Sequence, residues 1–243
     1  MKLIFIGDVH SNIAHLANLI TNNPDVDAFF QVGDFGLYHT TQSAKQDKQA
    51  MKHTPKLIKE VVSSIQQNTL QKFIKPIYFI KGNHDDYDGL TSQTLQDANI
   101  HFINQGSIIS KWGIHIGCLG GIYSSIRSYW DGTKFQGREN RFFTKNEIDS
   151  LLVKAQQTPL DIIITHQACY GVLPTKHRND EGSKDLMPLI RTIKPKLYFH
   201  GHHHKNYETT IDNTHVVGLG NFGKNSKSFK TVIINNGRVR LSS

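Results

Sequence analysis

A chain of 243 residues with 37% hydrophobic residues and a formal net charge of +8 is long enough to bury a substantial core, and is read as a single domain over 1–243. No apolar run approaches the roughly 20 residues needed to cross a bilayer, so no membrane partner is expected, and Asp8 interrupts the first apolar run before a signal-peptide core of roughly 7–15 residues could form. Cys118 and Cys169, without a C-x-x-C element, argue against a disulfide framework or a thiolate zinc site and fit a cytoplasmic protein. The dispersed Lys and Arg are accounted for more readily by solubility and a phosphate-friendly cleft than by a nucleic-acid partner.

In chain order, the apolar run Leu3–Ile6 reads as a strand ending at Gly7-Asp8, followed by a helical pattern over Ile13–Ile20. Ala28–Val32 is a second strand, ending at Gly33-Asp34. Phe35 to Pro55 is polar and weakly periodic, and is read as a surface excursion leading into a helix at Lys56–Ile65. Strand Ile77–Ile80 then runs into Gly82-Asn83-His84. Ile100–Ile103, Ser107–Lys111 and Ile114–Leu119 are short strands separated by turn residues, expected to extend a second sheet. A helix over Lys145–Ala155, strand Ile162–Ile164 before His166, a helix over Leu186–Ile193 and strand Leu197–Phe199 before Gly201 follow. The chain closes with strand patterns at Tyr207–Ile211, His215–Val217, Thr231–Ile234 and Arg238–Leu241, with turn signals at Asp212-Asn213 and Asn236-Gly237. Such alternation implies a layered α/β domain, two sheets face to face with helices outside. Ligands in layered folds of this kind gather beyond the carboxyl ends of strands.

The polar motifs sit at those ends, in the order D-x-H, G-D, G-N-H-D, H and G-H-x-H. Asp8 and His10, two apart after a strand, can face one cation. Asp34, at the next strand end, suits a bridging carboxylate, because one negative side chain between two cations offsets their repulsion. Asn83 and His166 offer neutral donors to a second ion, and His202 and His204 can serve one metal each from an extended segment. A mixed oxygen and nitrogen set suits Mn²⁺, Fe or Zn²⁺ better than Mg²⁺ or Ca²⁺. His200 and His203 alternate away from the ligands and are read as packing or supporting residues. His15, His39, His53, His101, His115, His177 and His215 lack partners in sequence and are read as ordinary surface or core residues. Asn12 is read as a helix cap. The stretch 120–143 interleaves Tyr123, Tyr129, Trp130 and Phe135 with Arg127, Lys134, Arg138 and Arg141. That mixture suits base stacking and phosphate contacts, so it is a candidate substrate-covering flap with Arg127, Arg138 and Arg141 as candidate phosphate contacts; packing of its aromatics on its own domain is the other reading.

Taken as an ordered set, these motifs resemble those of the calcineurin-like metallophosphoesterase superfamily, from Asp8 to His204. The resemblance implies a four-layer α/β/β/α sandwich of two mixed sheets flanked by helices, with a dimetal centre at its edge. It implies two divalent ions, Mn²⁺ foremost with Fe or Zn²⁺ as alternatives. The first would take Asp8, His10, Asp34 and His204, the second Asp34, Asn83, His166 and His202. His84 is left as general acid or cationic stabiliser at the leaving oxygen. Many phosphoprotein phosphatases of the superfamily read G-D-x-x-D-R-G around the bridging carboxylate, the later Asp orienting the histidine and the Arg gripping phosphate. Here the stretch is Gly33, Asp34, Phe35, Gly36, Leu37, Tyr38, and Asp85 or Asp86 is the expected substitute for the orienting Asp. The G-D-F opening and Gly120–Tyr123 resemble the RNA lariat-debranching branch, which cleaves a 2′,5′-phosphodiester, although those enzymes carry Cys where this chain has Asp8. The expected activity is hydrolysis of a phosphodiester, of a nucleotide or nucleic acid. The alternatives are a phosphomonoesterase acting on a nucleotide or phosphoprotein, and a non-catalytic interaction module of the same fold; the oligomeric state is left open.

Overall fold

A computed structural model describes residues 1–129, 135–174 and 182–242. Twelve strands are assigned among them: β1 (Lys2–Ile6), β2 (Ala28–Gln31), β3 (Ile77–Phe79), β4 (Ile100–Phe102), β5 (Ser107–Lys111), β6 (Ile114–Leu119), β7 (Ile162–Thr165), β8 (Leu197–His200), β9 (Tyr207–Ile211), β10 (Thr214–Gly218), β11 (Phe229–Asn235) and β12 (Arg238–Leu241). The helices are α1 (Ile13–Thr21), α2 (Thr41–Gln46), α3 (Lys48–His53), α4 (Pro55–Gln66), α5 (Gln93–Asp97), α6 (Lys145–Gln157) and α7 (Met187–Arg191). None of them is long and apolar enough to cross a membrane.

The strands form two six-stranded sheets, ordered β12-β11-β1-β2-β3-β4 and β5-β6-β7-β8-β10-β9. Both are mixed: β1 pairs parallel with β2 and antiparallel with β11, while β8 pairs parallel with β7 and β10 and the outer β5 and β9 run antiparallel to their neighbours. The period of two in each strand explains the layers. Leu3 and Phe5 of β1 and Ala28 and Phe30 of β2 face Ile114, Ile116, Ile162, Ile164 and Phe199 across the sandwich. Their neighbours Ile4, Ile6 and Phe29 face outward onto α1, α4 and α5. On the far side Ile163, Tyr198 and Val216 receive α6 and α7 through Ile148, Leu151, Leu189 and Ile190. Strands covered on both faces read as unbroken apolar runs, which is why they stand out in the sequence. The result is the four-layer α/β/β/α sandwich.

Three expectations are corrected. Ile100–Phe102 pairs parallel with β3 and so extends the first sheet; the second sheet begins only at Ser107. The helix expected over Leu186–Ile193 is a 3₁₀ turn at Lys184–Leu186 followed by the short α7, because Pro188 has no N–H and its ring fits only the first turn of a helix. The polar segment Phe35–Pro55 is not a surface excursion: Phe35, Leu37, Tyr38 and Asp47 are buried, and Tyr38, Ala44 and Ala50 form a small core with Ile58 and Val62 of α4. Its two helices, each of six residues, are too short to display a 3.6-residue period.

The central contact of the sandwich is Phe5 on Phe199, rings stacked with centroids 4.2 Å apart and planes within 2°. Truncating one ring removes buried apolar surface and leaves a cavity between two sheets that cannot collapse separately. Phe199→Ala is expected to lose about 3–5 kcal/mol of unfolding free energy in chemical denaturation, and an exposed-site control such as Ile74→Ala less than about 0.5 kcal/mol.

Candidate metal centre

Five strand ends deliver the polar motifs to one edge of the sandwich. Asp8 and His10 follow β1, Asp34 follows β2, Asn83 and His84 follow β3, His166 follows β7, and His202 and His204 follow β8. The loops are braced against each other by backbone donors. The Val9 and His10 amides donate to the Asp34 carbonyl, the His84 amide donates to Asp34 Oδ1 (2.7 Å), and the His202 amide donates to both Asp8 oxygens at 3.1–3.2 Å. The glycines preceding these motifs permit the approach: a methyl group at Gly82 would land on the backbone nitrogen and Oδ1 of Asp34, and one at Gly201 on Asp8 Oδ1. His10, Asp34, His202 and His204 all adopt positive φ, 47–65°. Non-glycine residues in that region cost of order 1–3 kcal/mol each, and persist where surrounding structure fixes them at functional sites.

Two donor sets result. Oxygen or nitrogen atoms of Asp8, His10, Asp34 and His204 lie within 4.8 Å of one another, and so do those of Asp34, His166 and His202. Asp34 belongs to both. His204 Nε2 is 3.0 Å from Asp8 Oδ2 and 3.1 Å from His10 Nε2, and His10 Nε2 is 3.9 Å from Asp34 Oδ2. In the second set His166 Nε2 is 3.3 Å from Asp34 Oδ1 and 3.0 Å from Asn83 Oδ1. The His166 Nδ1 proton goes to the Val32 carbonyl, which fixes the ring and turns Nε2 into the site.

The electrostatics fit cations. Asp8 and Asp34 are fully buried, and among the described residues their ion-pair neighbours are histidines rather than Lys or Arg. Burial disfavours charge on Asp34, but His166, then His84 and His10, outweigh it and hold the carboxyl well below its usual range. Burial likewise opposes charge on His166, yet Asp34 beside it pushes the imidazole up to about 9. A proton there stands where a metal ligand would present a lone pair. Burial lowers His10 and, with His166 and His203, lowers His202 further, so both are neutral donors. Asp34 Oδ2 is buried without a hydrogen-bond partner. A shared carboxylate with an unsatisfied oxygen between two clusters of imidazoles is a donor set that fits two divalent ions.

His84 lies beside the clusters, its ring 5.7 Å from that of His10. Its Nδ1 is 2.8 Å from Asp47 Oδ2, which leaves Nε2 as the free ring nitrogen. Neither Asp85 nor Asp86 orients it. Asp85 accepts from the backbone of Asp34, Gly36 and Gly82, and is pushed up to about 6 by burial and by Asp34; Asp86 accepts from the His39 amide and Ser43. Asp47 also accepts from the Tyr38 hydroxyl (2.9 Å), from Arg138 Nη1 (2.7 Å) and from the Ala50 amide at the start of α3. Burial raises the Asp47 carboxyl, but the His84 hydrogen bond first, then the Ala50 amide and the Arg138 charge, bring it down to about 2. Asp47 is the functional residue that sequence reasoning missed. A usable signal existed, since it is the only acidic residue between Phe35 and Pro55.

The stretch 120–143 is stitched to the G-N-H-D loop. Arg138 Nη2 donates to the Asn83 carbonyl (2.6 Å), and buried Lys81 donates to the Phe142 carbonyl (3.0 Å). Arg138 is thereby committed to Asp47 and Asn83, and Arg127 pairs with Glu139 at 2.7 Å. Together with Arg141 they line a shallow recess with Ser124, Ile126 and Phe142. Trp130, Lys134 and His177 lie outside the described residues. Asn12 caps α1, accepting from the His15 amide, and His200 packs on Tyr207. His39 contacts Ser92, and His203 accepts from the Ala168 amide with its ring 4.8 Å from that of His202; neither belongs to a donor set.

The chain is 25% identical to the lariat debranching enzyme of Schizosaccharomyces pombe over 172 residues, 61% of this chain but only 37% of that protein. Among solved structures it superposes on TT1561 of Thermus thermophilus with a TM-score of 0.58 at 13% identity, covering 99% of this chain and 97% of that one. It also superposes on GAP50, the anchor in the inner membrane complex of Plasmodium, with a TM-score of 0.54 at 15% identity, covering 96% of this chain and 80% of that one. These likenesses are of fold. The family description calcineurin-like phosphoesterase matches residues 1–206, which include every residue of both donor sets and the braced loops that carry them, and the chain belongs to that family.

Proposed function

We propose that this chain is a metal-dependent phosphodiesterase acting on a nucleotide or nucleic acid. The observation that carries the reading is Asp34, a fully buried carboxylate shared by two donor sets with one oxygen unsatisfied. Asp8, His10, Asp34 and His204 would hold one divalent ion, and Asp34, Asn83, His166 and His202 the other, with Mn²⁺ the preferred occupant of this oxygen and nitrogen set. When bound, two such ions supply Lewis-acid charge and ionised water at neutral pH. The water oxygen forms a bond to phosphorus as the ester P–O bond breaks. His84, as the imidazolium, gives its Nε2 proton to the departing oxygen, and Asp47, accepting from Nδ1–H, stabilises that cation and fixes the ring's orientation.

Preference for a diester is supported by charge. A monoester carries one more negative charge than a diester, and phosphatases of the superfamily meet it with an arginine four residues beyond the bridging Asp. Here that position is Tyr38, whose hydroxyl is tied to Asp47, and the nearby Arg138 is spent on Asp47 and Asn83. The likeness to a lariat debranching enzyme adds nucleic acid to the substrate class. GAP50 has the same fold and is an anchor, so fold alone does not decide between turnover and scaffolding.

With Mn²⁺, bis-p-nitrophenyl phosphate is expected to be hydrolysed with higher kcat/KM than p-nitrophenyl phosphate. Preference for the monoester would reverse the substrate reading, and protein that takes up no Mn²⁺ in elemental analysis and hydrolyses neither ester would favour a scaffold. Asp34→Asn is expected to abolish turnover and to cost metal in elemental analysis. His84→Ala should keep metal content while slowing turnover roughly 10²–10⁴-fold.

A pH profile tests the Asp47 arrangement. Burial lowers His84, but the Asp47 hydrogen bond and the charge of Asp34 raise it above its ordinary value. A protonated acid is lost as pH rises through that value, so His84 sets an alkaline limb. Asp47→Asn removes part of the stabilisation and is expected to move that limb of kcat to lower pH, with KM changing less than kcat; an unmoved limb would assign it to another group.

A further inference from the structure

Beside His84 a small alcove of about 60 Å³ opens to solvent, walled by His10, His84 and His204 on the site side, by Gln49, Ala50, His53 and Thr54 of α3 and its end, and by Asn221 and Lys224. Both outer walls are fastened to the centre. Asp47, the partner of His84, caps α3 by accepting from the Ala50 amide, so Gln49 and His53 are placed by the same carboxylate that orients the acid. The opposite wall is pinned through the Gly223 amide to the Asp8 carbonyl and through Asn12 Nδ2 to the Gly223 carbonyl. Gly223 is required there, because a methyl group would land on the Val9 carbonyl.

The lining selects for negative charge. Apart from His10 and His204, which belong to a donor set, it contains the His53 and His84 imidazoles, the amides of Gln49 and Asn221 and the ammonium of Lys224, and no carboxylate. Lys224 is exposed, and its ammonium has no partner among the described residues. The alcove has room for a small polar group against its lining and opens to solvent beyond it. His84 lines the alcove, so under its proposed role as the acid the alcove is on the leaving-group side of the reaction.

We infer that the alcove is a leaving-group subsite that binds a second phosphate, so that the favoured substrate is a diester whose departing alcohol is itself phosphorylated, with Lys224 as the principal charge contact and Gln49, His53 and Asn221 as hydrogen-bonding neighbours. This rests on the phosphodiesterase reading, and the site then divides its work. The buried clusters grip the scissile phosphate, and Lys224 grips the next one along.

The experiment uses Mn²⁺-loaded protein and two dinucleotide diesters that differ only in a terminal phosphate on the leaving nucleoside. Wild type is expected to favour the phosphorylated member by about tenfold in kcat/KM, as a charge-assisted contact provides. Lys224→Ala should reduce that ratio towards one, and Lys224→Arg should keep most of it. A wild-type ratio near one, or a ratio that survives in Lys224→Ala, overturns the subsite. If neither dinucleotide is cleaved, the phosphodiesterase reading fails separately, and calorimetry decides the alcove. Pyrophosphate is then expected to bind the loaded protein more tightly than inorganic phosphate, by a margin that Lys224→Ala removes; equal binding, or a margin unchanged in the variant, overturns it.

Discussion

The Asp34 carboxylate is the constraint on which the centre depends. It is buried with no Lys or Arg beside it among the described residues, so its charge is tolerated only because the surrounding loops aim donors at it. Its carbonyl accepts the Val9 and His10 amides, its own amide donates to Asp85, and its Oδ1 accepts the His84 amide. One residue therefore fixes the loops after β1, β2 and β3 relative to each other, and the His166 contact adds the loop after β7. Because each loop leaves a strand of one or the other sheet, the stacking of the two sheets determines whether the donor sets form at all. Packing of Phe5 on Phe199 and positioning of Asp34 against His166 are consequences of one arrangement.

Layers and strand ends were legible in the sequence because strands buried on both faces carry uninterrupted apolar runs that stop at polar turns. Leu3–Ile6, Ala28–Val32, Ile162–Ile164 and Leu197–Phe199 all match observed strands to within one residue at each end. Sheet membership was less legible. Ile100–Phe102 is a short partly apolar run like the strands that follow it, and its place beside β3 is set by the connection through α5, which no local pattern reports. The segment 35–55 failed for a related reason: its buried residues are paired across space with α4 and with the G-N-H-D loop, so burial is not expressed as periodicity.

The same distinction separates Asp34 from Asp47. Asp34 announces itself by a strand end and a G-D turn, whereas Asp47 looks like one polar residue among lysines and glutamines, and its role follows from being the N-cap of a six-residue helix that leans on His84. Phosphatases of the superfamily place the orienting Asp and a phosphate-gripping Arg within one short motif. In this chain the two residue types come from distant segments, Asp47 and Arg138, and meet each other at 2.7 Å. The arginine therefore pairs with the same carboxylate that holds His84.

That rearrangement has an electrostatic consequence for the cleft. Asp47, with one oxygen shared by His84, Tyr38 and Arg138, presents little net charge to the solvent side, and Asp8 and Asp34 are enclosed behind histidines. What faces the opening is imidazole, amide and the Lys224 ammonium. A chain carrying +8 overall adds a weak attraction for anions at a distance, which salt screens over about 10 Å, while the groups at the alcove act within contact range and are screened far less. The α3 wall and the loop bearing Lys224 lie outside the metal-ligand motifs, so under the proposed subsite a change there would alter the charge at the opening without touching the donor sets.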